Sequence, residues 1–474
     1  MKGSEPCVLS IDVGTSSMKG GVISLKGDLL SFCRVHLADT GRNDFLDWDG
    51  LIWNRSLKEV IKTLSNKTPL KYLDIRAVVV SGNGPTIVPI GFDGKLVGQS
   101  HLWMDKREKK IPSQKSFFLP AVAWIQDNKP EVYEKTQFFL GCPEYISYLL
   151  TGNFAGFTAG KEFDPYIWTD KGIHTYGLDS VKFPELIRIG MPLGPVTKEA
   201  EIITGLPSGL PVYAGGSDFI MAILGTGAVK PGRTCDRAGT SEGINYCSDI
   251  PVLNDRIRTL PHVIDGYYNA AGILSSTGAI FEWFRRISGQ KDTSYSDMMN
   301  EIREIDHNRD IPEFYPSLHR GEVWEFSGGL FVGLEVDHGS AEMGRAVTNA
   351  IAYGVRDLIE TLENNNCPID SLRVSGGQGR SSVWNQMKAD VTGKQIEVPS
   401  IIDTELMGNA CTGFTGAGFF SSLGESTESL VKIIRTHTPD KVEHGKYNDG
   451  YHLYHQRCLD LVKILGKGKK NDSK

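Results

Sequence analysis

The chain has 474 residues, 40% hydrophobic and 23% charged, which is an ordinary globular composition spread over more length than one hydrophobic core usually fills. A formal net charge of −6 argues against a nucleic-acid binder, which would carry a basic face. The eight cysteines are scattered with no C-x-x-C pair, the N-terminus lacks the apolar core of a signal peptide, and no apolar run is long enough to span a bilayer. These features lead to the expectation of reduced thiols in a cytoplasmic protein with no membrane partner.

The first predicted elements lie in "VLSIDVGTSSMKGGVISL". Strands are expected at Val8–Val13, Gly21–Leu25 and Leu29–His36. The first turn holds Asp12, Gly14, Thr15, Ser16, Ser17 and Lys19. Read alone, this is a β-hairpin, because Gly, Asp and Ser are what turns use. A helix through "WDGLIWNRSLKEVIKTL" follows, and then "IRAVVVSG", whose consecutive Ala77, Val78, Val79 and Val80 predict a buried strand. A helical stretch is expected from "LPAVAWIQDN" to "PEYISYLLTG", ending on Gly152 as a C-cap. "LPVYAGGSDFIMAILGTGAVKPG" reads as a strand, a Gly-Gly turn, a helix from Asp218 and a Gly/Pro-rich exit.

Farther on, "GAIFEWFRRI" and "SAEMGRAVTNAIAYGVRDLIETLENN" predict helices. The second keeps Met343, Val347, Ala350, Ile351, Val355, Leu358, Ile359 and Leu362 on one face. "SLRVSGGQGRSSVWNQMKAD" predicts strand, Gly-rich turn and helix, and the polar tail "GKGKKNDSK" predicts a frayed end. Strands alternating with helices make the fold class α/β. A composition shift after Gly243 places a boundary near 244–250, dividing 1–245 from 246–474.

One internal echo stands out. "DVGTSSMKGGVI" at Asp12 resembles "DRAGTSEGINYC" at Asp236, and both set an acid ahead of Gly-Thr-Ser and an apolar strand. Two such hairpins facing one another would present backbone N–H groups and hydroxyls to one phosphate chain.

The motifs "IDVGTSSMKGGV", "LWMDKR", "EVYEKTQFFLGCPEYISYLLTG", "AGGSDFIMAILGTGAVKPG", "RAGTSEG" and "VSGGQGRSSVWNQMKADVTGKQIEVP" resemble those of the FGGY carbohydrate kinases, relatives of actin and hexokinase. The resemblance covers roughly Val8 to Leu465. It implies two actin-like ATPase (ribonuclease H-like) domains with an interdomain cleft, the N-terminal one binding sugar and the C-terminal one nucleotide. It also implies ATP and Mg2+ as cofactors, a small sugar or polyol as substrate, domain closure that excludes water, and a homodimer as one form of assembly.

The resemblance further implies site residues. Asp12 would hold the magnesium ion through water; an Asx-turn cap is the plain alternative. Asp218 would be the general base, although read alone it is a helix N-cap. Gly215 and Gly216 would let substrate approach the backbone. Gly14, Thr15, Ser16 and Lys19 resemble a first phosphate hairpin, and Gly239, Thr240 and Ser241 a second. Gly376 and Gly377 resemble the turn beside the adenosine, with Asn409 near the adenine and Thr277 and Gly278 lining the nucleotide. A plain strand-to-helix turn capped by Ser381 or Ser382 is the alternative at Gly376, and Trp384 reads as core.

On the sugar side the chain departs from the family. Gly84 and Pro85 stand where many relatives carry polar or sulfur-containing residues, and "TAGKEFDPYIW" replaces a "TDYS-x-A" type segment. Asp105 and Arg107 contact the sugar or form a structural ion pair. Gly84 and Pro85 supply no side-chain hydrogen bonds, so with Gly84 kept as a sugar-pocket position, Asn83, Asp164 and Tyr166 are candidate replacements. The layout resembles the xylulose-kinase branch, so the expected reaction is ATP-dependent phosphorylation of a ketopentose such as xylulose. Glycerol or another polyol is the near alternative, and a non-catalytic binding relative is the rival. Glu242, just after the second hairpin, would repel a triphosphate if it pointed inward and is expected to point away. A dinucleotide oxidoreductase is excluded by the lack of a strand–G-x-G-x-x-G–helix unit.

Overall fold

The computed structural model describes residues 5–37, 48–305, 309–317 and 328–465. The polar tail after Leu465 lies outside the described residues. The chain divides into two compact units. The first comprises Met1–Val229, Pro261–Tyr267 and Asp403–Lys432; the second comprises Lys230–Leu260, Tyr268–Ile402 and Ile433–Lys474.

The first unit is built on a six-stranded sheet, in the spatial order Leu29–His36, Ser17–Ser24, Pro6–Val13, Asp74–Gly82, Pro211–Tyr213 and Pro192–Pro195. The strand Asp74–Gly82 is central and has parallel neighbours on both sides. That position explains its unbroken apolar run, since Ala77 to Val80 are fully buried with both faces covered. The helix Leu51–Lys67 buries Ile52, Trp53, Ser56, Leu57, Val60, Ile61 and Leu64, the stripe of an amphipathic helix. Gly20 lets that helix lie close, because a Cβ there would stand 2.5 Å from Val60 Cγ1.

The helical stretch expected across residues 119–152 is interrupted. Thr136–Leu140 is a strand, paired antiparallel with Val88–Gly91. Its "TQFFL" is rich in β-forming residues, and its partner lies some way back along the chain, where local periodicity cannot show it. Gly152 does cap the helix Cys142–Thr151, with φ 73° and its N–H donating to Tyr148 O.

The second unit is built on a seven-stranded sheet in the order Arg258–Pro261, Tyr268–Leu274, Glu242–Ser248, Thr234–Ala238, Ser371–Ser375, Gln395–Pro399 and Ile433–His437. The break expected near 244–250 falls largely inside the strand Glu242–Ser248, which is hydrogen-bonded on both sides. A strand in mid-sheet is no linker, so the boundary lies earlier, at Val229/Lys230. The chain also returns to the first unit twice. The second return carries the helix Thr404–Gly416, which packs on the strands Pro6–Val13 and Asp74–Gly82.

The two sheets repeat one plan. In each, a strand and its hairpin partner are antiparallel, a third strand continues that meander, and the first strand has a later parallel neighbour on its other side, itself flanked by a further parallel strand. The repeat extends the sequence echo. Ser81 lies beside Asp12 and Ser375 beside Arg237, within the matching triplets Val80-Ser81-Gly82 and Val374-Ser375-Gly376. The eight cysteines, all among the described residues, are not joined in disulfides. Among the described residues no helix is long and apolar enough to cross a membrane.

Candidate active site

Asp12 is the penultimate residue of the first strand and sits opposite Lys19 across the hairpin. Its carboxylate is 2% exposed. Ser81 Oγ donates to Asp12 Oδ1 at 2.8 Å, and Lys19 Nζ lies 3.3 Å from Oδ2. The same ammonium lies 3.3 Å from Asp403 Oδ1 and 3.6 Å from Glu405 Oε2, while Arg34 Nη2 donates to Asp403 at 2.7 Å. Burial pushes the Asp12 carboxyl up to about 7; Lys19 opposes this, Glu405 and Asp218 add to it, and the Ser81 hydrogen bond opposes it. Lys19 is therefore held as a counter-ion within a group of acids, rather than standing out as a bare phosphate ligand.

Asp218 is the first residue of the helix Asp218–Thr226. The cap position belongs to extended Ser217, which makes no side-chain cap hydrogen bond, so the N-cap reading of Asp218 is one residue out. At the helix start the dipole favours an ionised carboxylate. The helix is fixed by backbone-to-backbone packing, since a Cβ on Gly225 would lie 1.8 Å from Thr404 O and one on Gly408 2.0 Å from Met221 O. Gly215 has the same kind of reason, because a Cβ there would meet Val80 O at 1.9 Å, and on Gly216 one would meet Ile189 Cδ1 at 2.9 Å. Both glycines are therefore accounted for by packing against the central strand and its surroundings.

Among the described residues these ion pairs set three carboxylates against two cations: Asp12, Asp403 and Glu405 share Lys19 and Arg34, and Asp218 is near enough to raise Asp12. A hard divalent ion that brings its own water and phosphate oxygens fits that surplus. Asp12 is the residue that would hold it.

The other first-unit candidates separate clearly. Thr15 Oγ1 accepts from Trp103 Nε1 at 3.0 Å, and Ser16 is exposed at the turn closed by Gly14 N–H to Ser17 O. Asn83 is buried, donating through Nδ2 to Val13 O and accepting at Oδ1 from Thr86, so it braces the end of the first strand and does not face a sugar. Gly84 has room beside it, since a Cβ there would approach only Ser217 Cβ, at 3.8 Å, and the Gly84–Pro85 peptide is cis. Asp105 and Arg107 form a two-pronged ion pair, Nε to Oδ1 at 3.0 Å and Nη2 to Oδ2 at 2.6 Å, with Arg107 over the Trp124 ring. Burial would raise Asp105, but the Arg107 hydrogen bonds outweigh it and hold the carboxyl below its usual range. The structural ion pair is thus the arrangement seen. Asp164 accepts from Thr158, and Tyr166 packs against Phe117 and Phe163. Asn409, expected near the adenine, is instead fully buried in the first unit, with Nδ2 donating to Ile11 O and Ser81 Oγ. It supports the Asp12 strand from behind.

In the second unit, Gly239 and Thr240 are exposed and Ser241 is partly so, the turn closing by Gly239 N–H to Ser241 O. Asp236 is not the counterpart of Asp12. Val13 and Ala238 are the last paired residues of their strands, which aligns Asp12 with Arg237 and turns Asp236 to the opposite face. Glu242 points away from the turn, into contact with Lys388. Thr277 is fully buried, and the partly exposed Gly278 is pressed on the hairpin, where a Cβ would meet Gly239 O at 2.1 Å. Ser381 caps the helix Ser382–Thr392, and Trp384 belongs to the core.

Gly376 has φ 92°, and a Cβ would lie 2.1 Å from Ala238 O, whereas Gly377 has open space. Gly376→Ala is expected to destabilise the protein by about 3 kcal/mol or more, and Gly377→Ala to change stability by no more than about 0.5 kcal/mol, read from urea unfolding. Equal effects would mean that the turn is held in some other way.

Two sheets of this plan, each with a Gly-Thr-Ser hairpin at the end of its first strand, define an actin-like ATPase fold. Residues 108–225 match the N-terminal domain, and residues 237–417 the C-terminal domain, of the FGGY family of carbohydrate kinases. The chain belongs to that family, whose members are phosphotransferases acting on an alcohol group. It is 24% identical over 482 residues to a xylulose kinase of Staphylococcus epidermidis, covering 94% of this chain and 95% of that protein. It is 26% identical over 374 residues to an autoinducer-2 kinase of Escherichia coli, covering 74% and 70%. A solved xylulose kinase from Rhodospirillum rubrum superposes with a TM-score of 0.80 at 21% identity, over 97% of this chain and 99% of that one.

Proposed function

We propose that this protein transfers the γ-phosphoryl group of Mg-ATP to a hydroxyl of a small sugar, a ketopentose such as D-xylulose, with Asp218 as the base. The observation that carries the reading is the placement of Asp218 at a helix start, within electrostatic reach of Asp12 at the end of the first strand. The choice of a ketopentose is supported by the xylulose kinase relative, which matches nearly the whole chain, where the autoinducer-2 kinase matches about three quarters of it.

In a loose phosphoryl transfer the acceptor hydroxyl loses its proton late, so a carboxylate suffices as base. Magnesium, when bound, would neutralise charge on the phosphate oxygens. The chain's own contribution is orientation: Asp218 is held by the helix crossing at Gly225 and Gly408, and Asp12 by Ser81 and Lys19. The exposed Thr240 and the partly exposed Ser241 would receive phosphate oxygens in the second unit.

A pH dependence follows from Asp12. With its carboxyl raised to about 7, the charged form that attracts a cation is lost as pH falls through that value. The magnesium concentration giving half-maximal MgADP binding is therefore expected to rise more steeply as pH falls in the wild type than in Asp12→Asn, where the phosphate of the nucleotide still titrates but the carboxyl is gone. An Asp12→Asn protein with the wild-type profile would leave Asp12 as a turn residue only.

A further inference from the structure

A second buried charge cluster lies beneath the other hairpin. Lys388, on the helix Ser382–Thr392, is 1% exposed; its Nζ donates to Asp236 Oδ2 at 2.6 Å and to Glu242 Oε1. Asp236 lies on the strand entering the Gly239–Ser241 turn, and Glu242 is the first residue leaving it, paired across the strands with Ala238. One ammonium thus holds both legs of the turn. The segment leading into the same helix grips the turn again, because Gly376 packs on Ala238 O and Gln378 Nε2 approaches Gly239 O at 3.5 Å.

The charge count makes the arrangement more than a strut. Two carboxylates face one ammonium in a dry place, and the ammonium also neighbours the Trp384 ring, 5.5 Å away. Burial pushes the Glu242 carboxyl up to about 8, against the pull of Lys388 and with the help of Asp236, so at neutral pH it holds its proton. One proton held by the two carboxylates beside the Lys388 ammonium brings the cluster to neutrality. A buried cluster of this kind adds little net stability compared with apolar packing, but it fixes geometry.

We infer that Lys388 is a positioning residue for the nucleotide, holding Gly239–Ser241 through Asp236 and Glu242 in the shape that receives phosphate. This rests on the reading of that hairpin as a nucleotide contact. A second consequence is that ionising Glu242 places an uncompensated negative charge beneath the phosphate and weakens its binding.

The test is calorimetric binding of MgADP to the full chain. The double variant Asp236→Asn/Lys388→Met removes one acid and the ammonium together and so leaves no unpaired buried charge. Its Kd for MgADP is expected to rise about tenfold with cooperative unfolding retained. A purely structural role lowers the unfolding temperature but leaves Kd within about twofold, and that result overturns the inference. Glu242→Gln carries the same test if the double variant does not fold. Wild-type Kd is expected to rise about tenfold from about pH 7 to about pH 9, while Glu242→Gln stays flat. Equal pH dependence in the two proteins overturns the inference. Wild-type protein that binds no MgADP overturns the nucleotide reading itself, whereas wild-type binding with unaffected variants overturns only the role of Lys388.

Discussion

Replacing Asp218 with Asn is expected to lower acceptor-dependent turnover by at least about 10²-fold, with the fold and MgADP binding retained. Asn keeps the size of the side chain and its place at the first position of the helix Asp218–Thr226, so the packing at Gly225 and Gly408 is untouched. What is lost is the ability to accept a proton. A second readout separates this from general damage. The Asp218 charge helps to raise the Asp12 carboxyl, so its removal should shift the pH dependence of magnesium binding to lower pH. Turnover within a few fold of wild type would remove Asp218 from the role of base.

Lys19→Met is expected to cost about 3–5 kcal/mol of stability, the usual result of taking the cation from a buried group of acids. The ammonium lies within 3.6 Å of three carboxylates, those of Asp12, Asp403 and Glu405, and Asp403 also has Arg34 as a second cation. The sign of the pH effect is specific. Without Lys19 nothing opposes the burial that raises the folded-state Asp12 carboxyl above its unfolded value, so folding favours protonated forms. The stability they contribute is present at low pH and lost as pH rises through the raised value. Lys19→Met should therefore regain stability on acidification from about pH 7 to about pH 5, approaching the wild type, and Lys19→Arg should retain most of it throughout. A Lys19→Met protein as stable as wild type at neutral pH would show that the acids are neutralised by some other group.

Much of the architecture was legible because it is local. The four apolar residues at Ala77–Val80, the glycine ending "SYLLTG" and the apolar face of Ser340–Glu363 each state their own element. What was hidden depends on partners far along the chain. The strand Thr136–Leu140 is defined by Val88–Gly91, and the helix carrying Asn409 returns to the Asp12 strand after nearly four hundred residues. Glycines mislead for the same reason. Gly215 looks like room for a ligand, and only the approach of Val80 O shows that the space is already taken.

The site was legible in part. Asp12, Lys19 and Asp218 stand in motifs, but the acids Asp403 and Glu405 that surround Lys19 lie outside all of them. The repeat Val80-Ser81-Gly82 and Val374-Ser375-Gly376 was a usable signal: it aligns the two hairpins and shows that Arg237, not Asp236, occupies the place of Asp12. Lys388 lies inside the family motif "VSGGQGRSSVWNQMKADVTGKQIEVP", yet its link to Glu242 is visible only once the helix is folded over the hairpin.

The central claim, transfer of phosphate to a sugar hydroxyl with Asp218 as the base, is tested most directly by phosphorus NMR of reactions containing Mg-ATP. The acceptors would be ketopentoses, aldoses, polyols and autoinducer-2, with wild-type and Asp218→Asn protein run side by side. The expected result is a phosphate monoester of one ketopentose, formed with equal ADP by wild type and suppressed in the variant. A monoester formed equally well by Asp218→Asn, or ADP formed with free phosphate whatever the acceptor, would contradict it.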